Sequence, residues 1–209
     1  MDTGNASWLL TSSALVLLMT PGLAFFYGGL VRKKNAAATI MHSLITIGIV
    51  GVVWVIWGYA LAFGKDIGGI IGWSGFALNG ISPDIGADAD NYTESQLFMI
   101  FQGMFAIITP ALITGAFAER IKFSALVIFT VLWVTLVYSP LAHWVWGGGW
   151  LGARGGLDFA GGLVVHISSG VAALAAAWIV FGRRLRFQKE PMEPHNVPFV
   201  VLGAALLWF

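Results

Sequence analysis

Long stretches without a charged residue alternate with short polar segments along this chain of 209 residues. The hydrocarbon core of a membrane is about 30 Å thick, and about 20 apolar residues in a helix cross it. Uncharged stretches of that length predict transmembrane helices, which we number spans one to five. They cover residues 8–30, 36–63, 95–118, 123–145 and 159–181.

A sixth apolar stretch begins near Val197 and continues to the last residue, Phe209. In helical form it reaches only about 20 Å, which is too short to cross a bilayer. We therefore expect an incomplete sixth helix over 197–209 and a truncated chain. The predicted fold class is an all-α polytopic membrane protein, a single transmembrane domain over residues 1–209 with five complete helices and the start of a sixth.

The composition supports a membrane protein and excludes other classes. Hydrophobic residues make up 58% of the chain and charged residues 10%, whereas soluble domains carry about a quarter charged residues. The net charge of +1 is too small for the clustered Lys and Arg that bind nucleic acids. Without cysteine, these residues cannot form a disulfide, an iron–sulfur cluster or a thiolate–metal bond.

The positive charges predict the orientation, because short cytoplasmic loops retain Lys and Arg. Nine of the eleven Lys and Arg residues follow spans one, three and five, and only Lys65 and Arg154 lie in the opposite loops. We therefore expect the N-terminus outside. The nine are Arg32, Lys33, Lys34, Arg120, Lys122, Arg183, Arg184, Arg186 and Lys189. The acidic residues Asp2, Asp66, Asp84, Asp88, Asp90 and Glu94 fall on the outer side.

His166 is the clearest candidate for function, because an ionisable group at membrane depth is costly. Its position in span five is on the order of 10 Å below the outer boundary. Steps of four residues place Asp158, Gly162, His166 and Gly170 on one stripe, and the glycines would let a small ligand approach the imidazole. A packing histidine bonded to a backbone carbonyl fits the sequence equally well.

Three further features lie toward the outer end of the spans. Asp158 precedes span five, where a carboxylate usually caps the first turn; it can also shape a site by holding carbonyls in place. Trp146 lies beside three glycines, and its indole face can hold a small cation with about 1–2 kcal/mol. Phe98, Phe101 and Phe105 share one helical face, which is usually a packing face and would exclude hydrated ions if it lined a pore.

Several of these segments are similar to the Amt/Mep/Rh group of ammonium transporters, and most similar to the prokaryotic Amt type. The similarity touches all five complete spans or their borders. The matching segments are TPGLAFFYGG at 20–29, FQG at 101–103, AER at 118–120, AHWVWGGG at 142–149 and LDFAGGLVVH at 157–166.

The resemblance implies a homotrimer with one pore per subunit, built from two inverted repeats of five helices and a final helix. Residues 8–181 would form the first repeat. Trp146 would be the tryptophan of the outer ammonium recruitment site, supported by Asp158. Phe105, stacked with Phe101, would belong to the phenylalanine gate below it, and His166 would be the first of two pore histidines. Without the second repeat, these 209 residues alone are not expected to transport.

The expected function is transport of ammonium or ammonia across the plasma membrane, with no enzymatic activity, cofactor or metal. The expected partners are the lipid bilayer and, through the resemblance, a PII-type regulator on the cytoplasmic side. The alternative is a membrane ammonium sensor that signals to an attached domain.

A haem protein would need histidines at matching depth, and His42 and His166 differ by roughly 10 Å. A retinal protein would need a buried lysine, and all lysines lie in loops.

Overall fold

The structure is a computed structural model, which describes residues 3–82, 93, 95–180 and 193–209. Several features of the sequence fall outside the described residues. They are the cationic segment with Arg183, Arg184, Arg186 and Lys189, the end of span five at 181, and the acidic positions Asp2, Asp84, Asp88, Asp90 and Glu94.

The described residues are mostly helical, because the apolar stretches carry few residues that break a helix. Short π-helical segments lie between some of the α-helices at Trp54–Gly58, Val134–Tyr138, Gly162–Ile167 and Ala176–Val180. The α-helices are α1 (Thr3–Leu30), α2 (Ala36–Val53), α3 (Tyr59–Phe63), α4 (Gln96–Phe117), α5 (Phe123–Trp133), α6 (Ser139–Val145), α7 (Trp150–Ala153), α8 (Ser168–Ala175) and α9 (Val197–Trp208).

These elements combine into five helices that are long and apolar enough to cross a membrane, which confirms the predicted fold class. They are Thr3–Leu30, Lys33–Phe63, Gln96–Phe117, Phe123–Ala153 and Gly162–Ile179. Span one begins five residues before the predicted position 8, because the polar residues ahead of Trp8 continue the helix. Span five begins at Gly162 rather than 159, because Gly161, with φ of 82°, stands before the first helical residue. The shorter apolar helix α9 occupies the predicted sixth segment.

The π-segments widen spans two, four and five where regular α-helix would be unfavourable. In span four the amide of Ser139 donates to Val134 O, five residues earlier. Pro140 follows directly and has no amide proton to continue an α-helix. Span two widens at Trp54, whose ring packs edge-on against Tyr59 and Tyr138 in the buried core.

A short hairpin follows span two on the side predicted to be outside. Strands β1 (Asp66–Ile67) and β2 (Ile71–Gly72) pair antiparallel, with Asp66 opposite Gly72 and Ile67 opposite Ile71. Gly68 and Gly69 turn the chain with positive φ, a conformation that glycine adopts without strain. The hairpin packs against α3 and α6. It therefore joins the ends of spans two and four on that side of the bundle.

Span three, formed by α4, lies among the other helices and is the most buried span. It packs against α1, α2 and α8. Its Gly103 leaves room for the Trp54 ring, since a Cβ there would lie 2.9 Å from Trp54 Cδ1. Trp54 Nε1 donates to Met99 O at 3.0 Å. This tight contact fixes the rotation of α4 about its own axis. It thereby sets the direction in which Phe98, Phe101 and Phe105 of α4 point.

Candidate functional site

A cavity of about 620 Å³ lies between the N-terminal half of α4, the end of α6 and the segment 157–161. Four of the five residues expected to bind substrate line it, which are Phe101, Phe105, Trp146 and Asp158. The fifth, His166, is not among its lining residues. Folding thus brings together side chains from three separate parts of the sequence.

The three phenylalanines of α4 form one wall of the cavity. Phe98, Phe101 and Phe105 all line it, as their helical spacing predicts. The rings of Phe101 and Phe105 lie 5.0 Å apart at an interplanar angle of 83°. They therefore meet edge to face rather than in the stacked arrangement we expected, because the electrostatics of aromatic rings favour this geometry over a face-to-face sandwich.

Trp146 forms the opposite wall at the C-terminal end of α6. Its backbone amide donates to Ala142 O at 2.8 Å, which closes the last turn of the helix. Its indole Nε1 donates to the backbone carbonyl of Asp158 at 2.8 Å. The indole is thus held by its edge within the cavity wall.

The Asp158 carboxylate caps the start of span five, although it lies five and six residues before the amides that it binds. Its Oδ2 accepts hydrogen bonds from the amides of Leu163 and Val164, both at 2.9 Å. These amides belong to the first turn after Gly161 and have no helical partner, so the carboxylate satisfies them. The side chain acts as the cap that the sequence suggested, while the backbone carbonyl of the same residue holds Trp146.

His166 lies beyond the cavity on an exposed stripe of span five. Gly162, His166 and Gly170 are all exposed, and Leu174 continues the stripe, whereas Asp158, which the four-residue spacing also placed on it, precedes the first helical residue and is half-buried. The backbone amide of His166 donates to Gly161 O at 2.9 Å. Among the described residues, the imidazole ring has no hydrogen-bond partner.

Two polar residues beside the cavity escaped the sequence analysis. Gln102 lines the cavity, and its buried Oε1 accepts no hydrogen bond within the described part of the chain. His143 is completely buried one turn before Trp146, and both of its ring nitrogens contact oxygen atoms. The only sequence signals were their places in the segments 101–103 and 142–149, which carry the family resemblance.

No group of three or more His, Cys, Asp or Glu side chains within residues 3–82, 93, 95–180 and 193–209 is arranged to hold a metal ion. The groups that line the cavity include aromatic faces, the Gln102 amide and the Asp158 carboxylate. Aromatic faces attract small cations, and apolar rings make a hydrated ion lose water on entry.

Comparison with known families matches residues 7–209 to the Ammonium Transporter Family. Ammonium transporter Amt1 of Archaeoglobus fulgidus is 50% identical over 210 residues, covering 100% of this chain and 51% of that protein. The ammonium transporter of Bacillus subtilis is 53% identical over 211 residues, covering 100% of this chain and 51% of its own length. The chain spans about half the length of these curated relatives.

Solved structures share the fold across nearly the whole chain. The crystal structure of Candida albicans Mep2 superposes with a TM-score of 0.88 at 38% identity, covering 100% of this chain and 46% of that chain. A structure described as a sensor Amt protein superposes with a TM-score of 0.87 at 32% identity, covering 98% of this chain and 52% of that chain.

Proposed function

Because the chain belongs to the Ammonium Transporter Family, we propose that the protein containing it carries ammonium, or the ammonia formed from it, across the plasma membrane. The observation that carries the proposal is the cavity between Phe101, Phe105 and Trp146, closed at one edge by Asp158. These residues come from three segments, and their arrangement suits a small cation at an apolar mouth.

The first proposed step is capture of ammonium at the outer cavity. The face of Trp146 attracts the cation with about 1–2 kcal/mol where water is partly removed. Asp158 assists with its carboxylate, whose Oδ2 accepts hydrogen bonds from the amides of Leu163 and Val164. Its negative charge raises the local cation concentration, and its carbonyl fixes the Trp146 ring.

The second proposed step is loss of a proton near Phe101 and Phe105, followed by passage of ammonia past His166. Potassium has about the size of ammonium but cannot lose a proton, so a pathway that carries only the neutral molecule rejects it. The imidazole of His166 offers a hydrogen-bond partner in place of water. Its exposed stripe with Gly162 and Gly170 leaves space beside the ring for a small molecule.

The proposed ammonia pathway requires a second protein surface that faces the stripe of Gly162, His166 and Gly170. We propose that residues 8–181 form the first of two inverted repeats, with 197–209 starting the sixth helix, and that the pore lies between the repeats. Three such subunits would assemble, each with its own pore and with the N-terminus outside. The 209 residues alone would then bind at the mouth but not transport. A PII-type regulator would bind on the cytoplasmic side.

The alternative is an ammonium sensor built on the same scaffold. The likeness to the structure described as a sensor Amt protein, with a TM-score of 0.87, supports it. A sensor would keep the cavity and pass the binding signal to an attached domain. Uptake by the full-length protein separates the two, because a sensor needs binding but no sustained flux.

The test is uptake of labelled methylammonium by the full-length protein in cells that lack other ammonium transporters. We expect uptake by the wild type that excess potassium does not inhibit. His166→Ala should lower the uptake rate per transporter roughly two- to tenfold, corresponding to about 0.5–1.4 kcal/mol of hydrogen bonding.

His195→Ala is the matched control, because it removes an imidazole that bonds Val31 O in a loop outside the spans. It should leave uptake unchanged. Equal rates in the wild type and His166→Ala would remove the proposed role of His166. Absence of uptake by the wild type, with ammonium binding retained, would favour the sensor.

A further inference from the structure

His143 is a titratable group that the proposed pathway does not use, and it is completely buried at the end of span four. Its Nδ1 lies 2.9 Å from Ala62 O, and its Nε2 lies 2.8 Å from Asp66 Oδ1. Ala62 belongs to the end of span two, and Asp66 to strand β1 of the outer hairpin. One side chain thus joins three elements.

The two contacts engage both ring nitrogens of His143. A carbonyl oxygen only accepts, so Nδ1 donates to Ala62 O. The hydrogen bond from His143, together with the amide of Gly69 at 2.9 Å, holds the pKa of the Asp66 carboxyl below its ordinary value of 3.8. His143 is therefore held in place by two directed hydrogen bonds.

The same hairpin is attached to the segment after His143 by two more contacts. Trp144 Nε1 donates to Ile70 O at 2.7 Å, and the amide of Trp150 donates to Gly69 O at 2.9 Å. Together with the His143–Asp66 pair, they form what we call the outer clamp. Trp146 lies within the segment that the outer clamp holds.

Close packing makes the outer clamp rigid. A Cβ at Gly147 would lie 2.0 Å from Ala62 O and 2.7 Å from His143 Nδ1. A Cβ at Gly149 would lie 2.7 Å from His143 O and 2.9 Å from Gly69 O. Only glycine fits at either position, so the chain just after Trp146 rests directly against the end of span two.

The end of span two also supports the opposite wall of the cavity. Phe63 follows Ala62, and its ring packs edge-on against Phe98 of α4 at a centroid distance of 5.1 Å. Ala62 therefore holds the Trp146 wall through His143, while its neighbour Phe63 holds the phenylalanine wall. The separation of the two walls depends on this junction.

We propose that His143 is a positioning residue, which acts through Asp66 and Ala62 to fix Trp146 at the distance from Phe101 that captures the cation. The proposal rests on the proposed function of the cavity and adds the element that sets its width. Opening the outer clamp should weaken capture without altering the passage beyond it, so the KM for uptake should change and the maximal rate should not.

The principal test is Asp66→Ala in the full-length protein, because the Asp66 side chain is 41% exposed and its loss should not prevent folding. We expect the KM for methylammonium uptake to rise roughly three- to tenfold, since displacement of a binding group by a fraction of an ångström loses part of its interaction. The maximal rate per transporter should stay that of the wild type.

Two variants show whether the hydrogen bond between Asp66 and His143 determines the KM. Asp66→Asn can still bond both His143 Nε2 and the Gly69 amide, so it should keep the wild-type KM. Ile67→Ala is the matched control on the same strand, since Ile67 is 53% exposed; it should also leave the KM unchanged. A merely structural loss would lower the maximal rate through the amount of folded protein and leave KM alone.

Hydrogen exchange gives a readout that does not depend on transport. In Asp66→Ala the amides of residues 143–150 should exchange faster than in the wild type, and in Asp66→Asn they should not. An unchanged KM or unchanged exchange in Asp66→Ala would overturn the positioning role while the wild type still transports. Failure of the wild type to take up methylammonium would overturn the proposed function and the positioning role together.

Discussion

At the scale of single residues, what the cavity can bind depends on which polar atoms of its lining residues already take part in hydrogen bonds. Oδ2 of Asp158 accepts hydrogen bonds from two amides of span five. The backbone carbonyl of the same residue accepts one from the indole of Trp146. A cation that bound either of these two oxygen atoms would have to displace such a hydrogen bond at a cost in free energy. Attraction by aromatic faces, with the negative charge of Asp158 beside them, fits these contacts.

Asp66 gives a prediction for acid conditions. Because its folded pKa lies below the ordinary 3.8, mainly through the bond to His143, ionised Asp66 contributes stability above that pH, and the contribution is lost as the pH falls through the folded value. The wild type should therefore unfold at a higher temperature than Asp66→Asn near neutral pH, and the difference should vanish in acid. Thermal unfolding of the full-length protein at both pH values measures this; a difference independent of pH would contradict it.

The sequence identified the residue types of the cavity but not their partners. Trp146 and Asp158 were each recognised from their surroundings, whereas their mutual contact depends on the path of the loop between them, which periodicity does not describe. His143 shows the same limit, because Asp66 lies 77 positions away in the chain and only the hairpin brings it near.

At the scale of elements, the spans were predictable because a membrane demands about 20 apolar residues in every crossing helix. The π-segments were not, since the apolar pattern that predicts a span does not distinguish a π-helical segment within it. The hairpin Asp66–Gly72 was missed as well, because its strands have two residues each and leave no period to detect.

Helices α1 and α9 pack so closely that glycine is needed at their contact. A Cβ at Gly203 would lie 2.3 Å from Phe26 N and 2.5 Å from Gly22 O. Both are backbone atoms, so the helices would have to separate. Small residues at such contacts let the backbones of membrane helices approach.

Gly203→Ala should therefore destabilise the protein by about 1–3 kcal/mol, the usual cost of overpacking. The matched control is Gly51→Ala in α2, where a Cβ would meet no atom within 4 Å; it should be neutral or slightly stabilising, because alanine favours helix. Unfolding of the purified full-length variants measures both. Equal stability of Gly203→Ala and the wild type would contradict the close packing of α1 and α9.

At the scale of the whole molecule, apolar side chains cover the outside of the bundle. Ile128, Leu132 and Leu136 form a stripe on span four with exposures of 62%, 52% and 67%. Such a stripe suits contact with lipid or with another apolar surface. Ion pairs of the described residues, by contrast, lie at the two ends of the bundle: His143 with Asp66 on one, and Arg32 with Glu119 at 2.9 Å on the other.

The central claim is that the cavity between Trp146 and the phenylalanines captures ammonium, and the most direct measurement is the KM for methylammonium uptake by full-length Trp146→Leu. We predict a rise of roughly five- to thirtyfold, which corresponds to losing about 1–2 kcal/mol of cation–π attraction. Trp8→Leu, which alters a tryptophan that is 70% exposed on α1, should keep the wild-type KM. A wild-type KM in Trp146→Leu would contradict the claim.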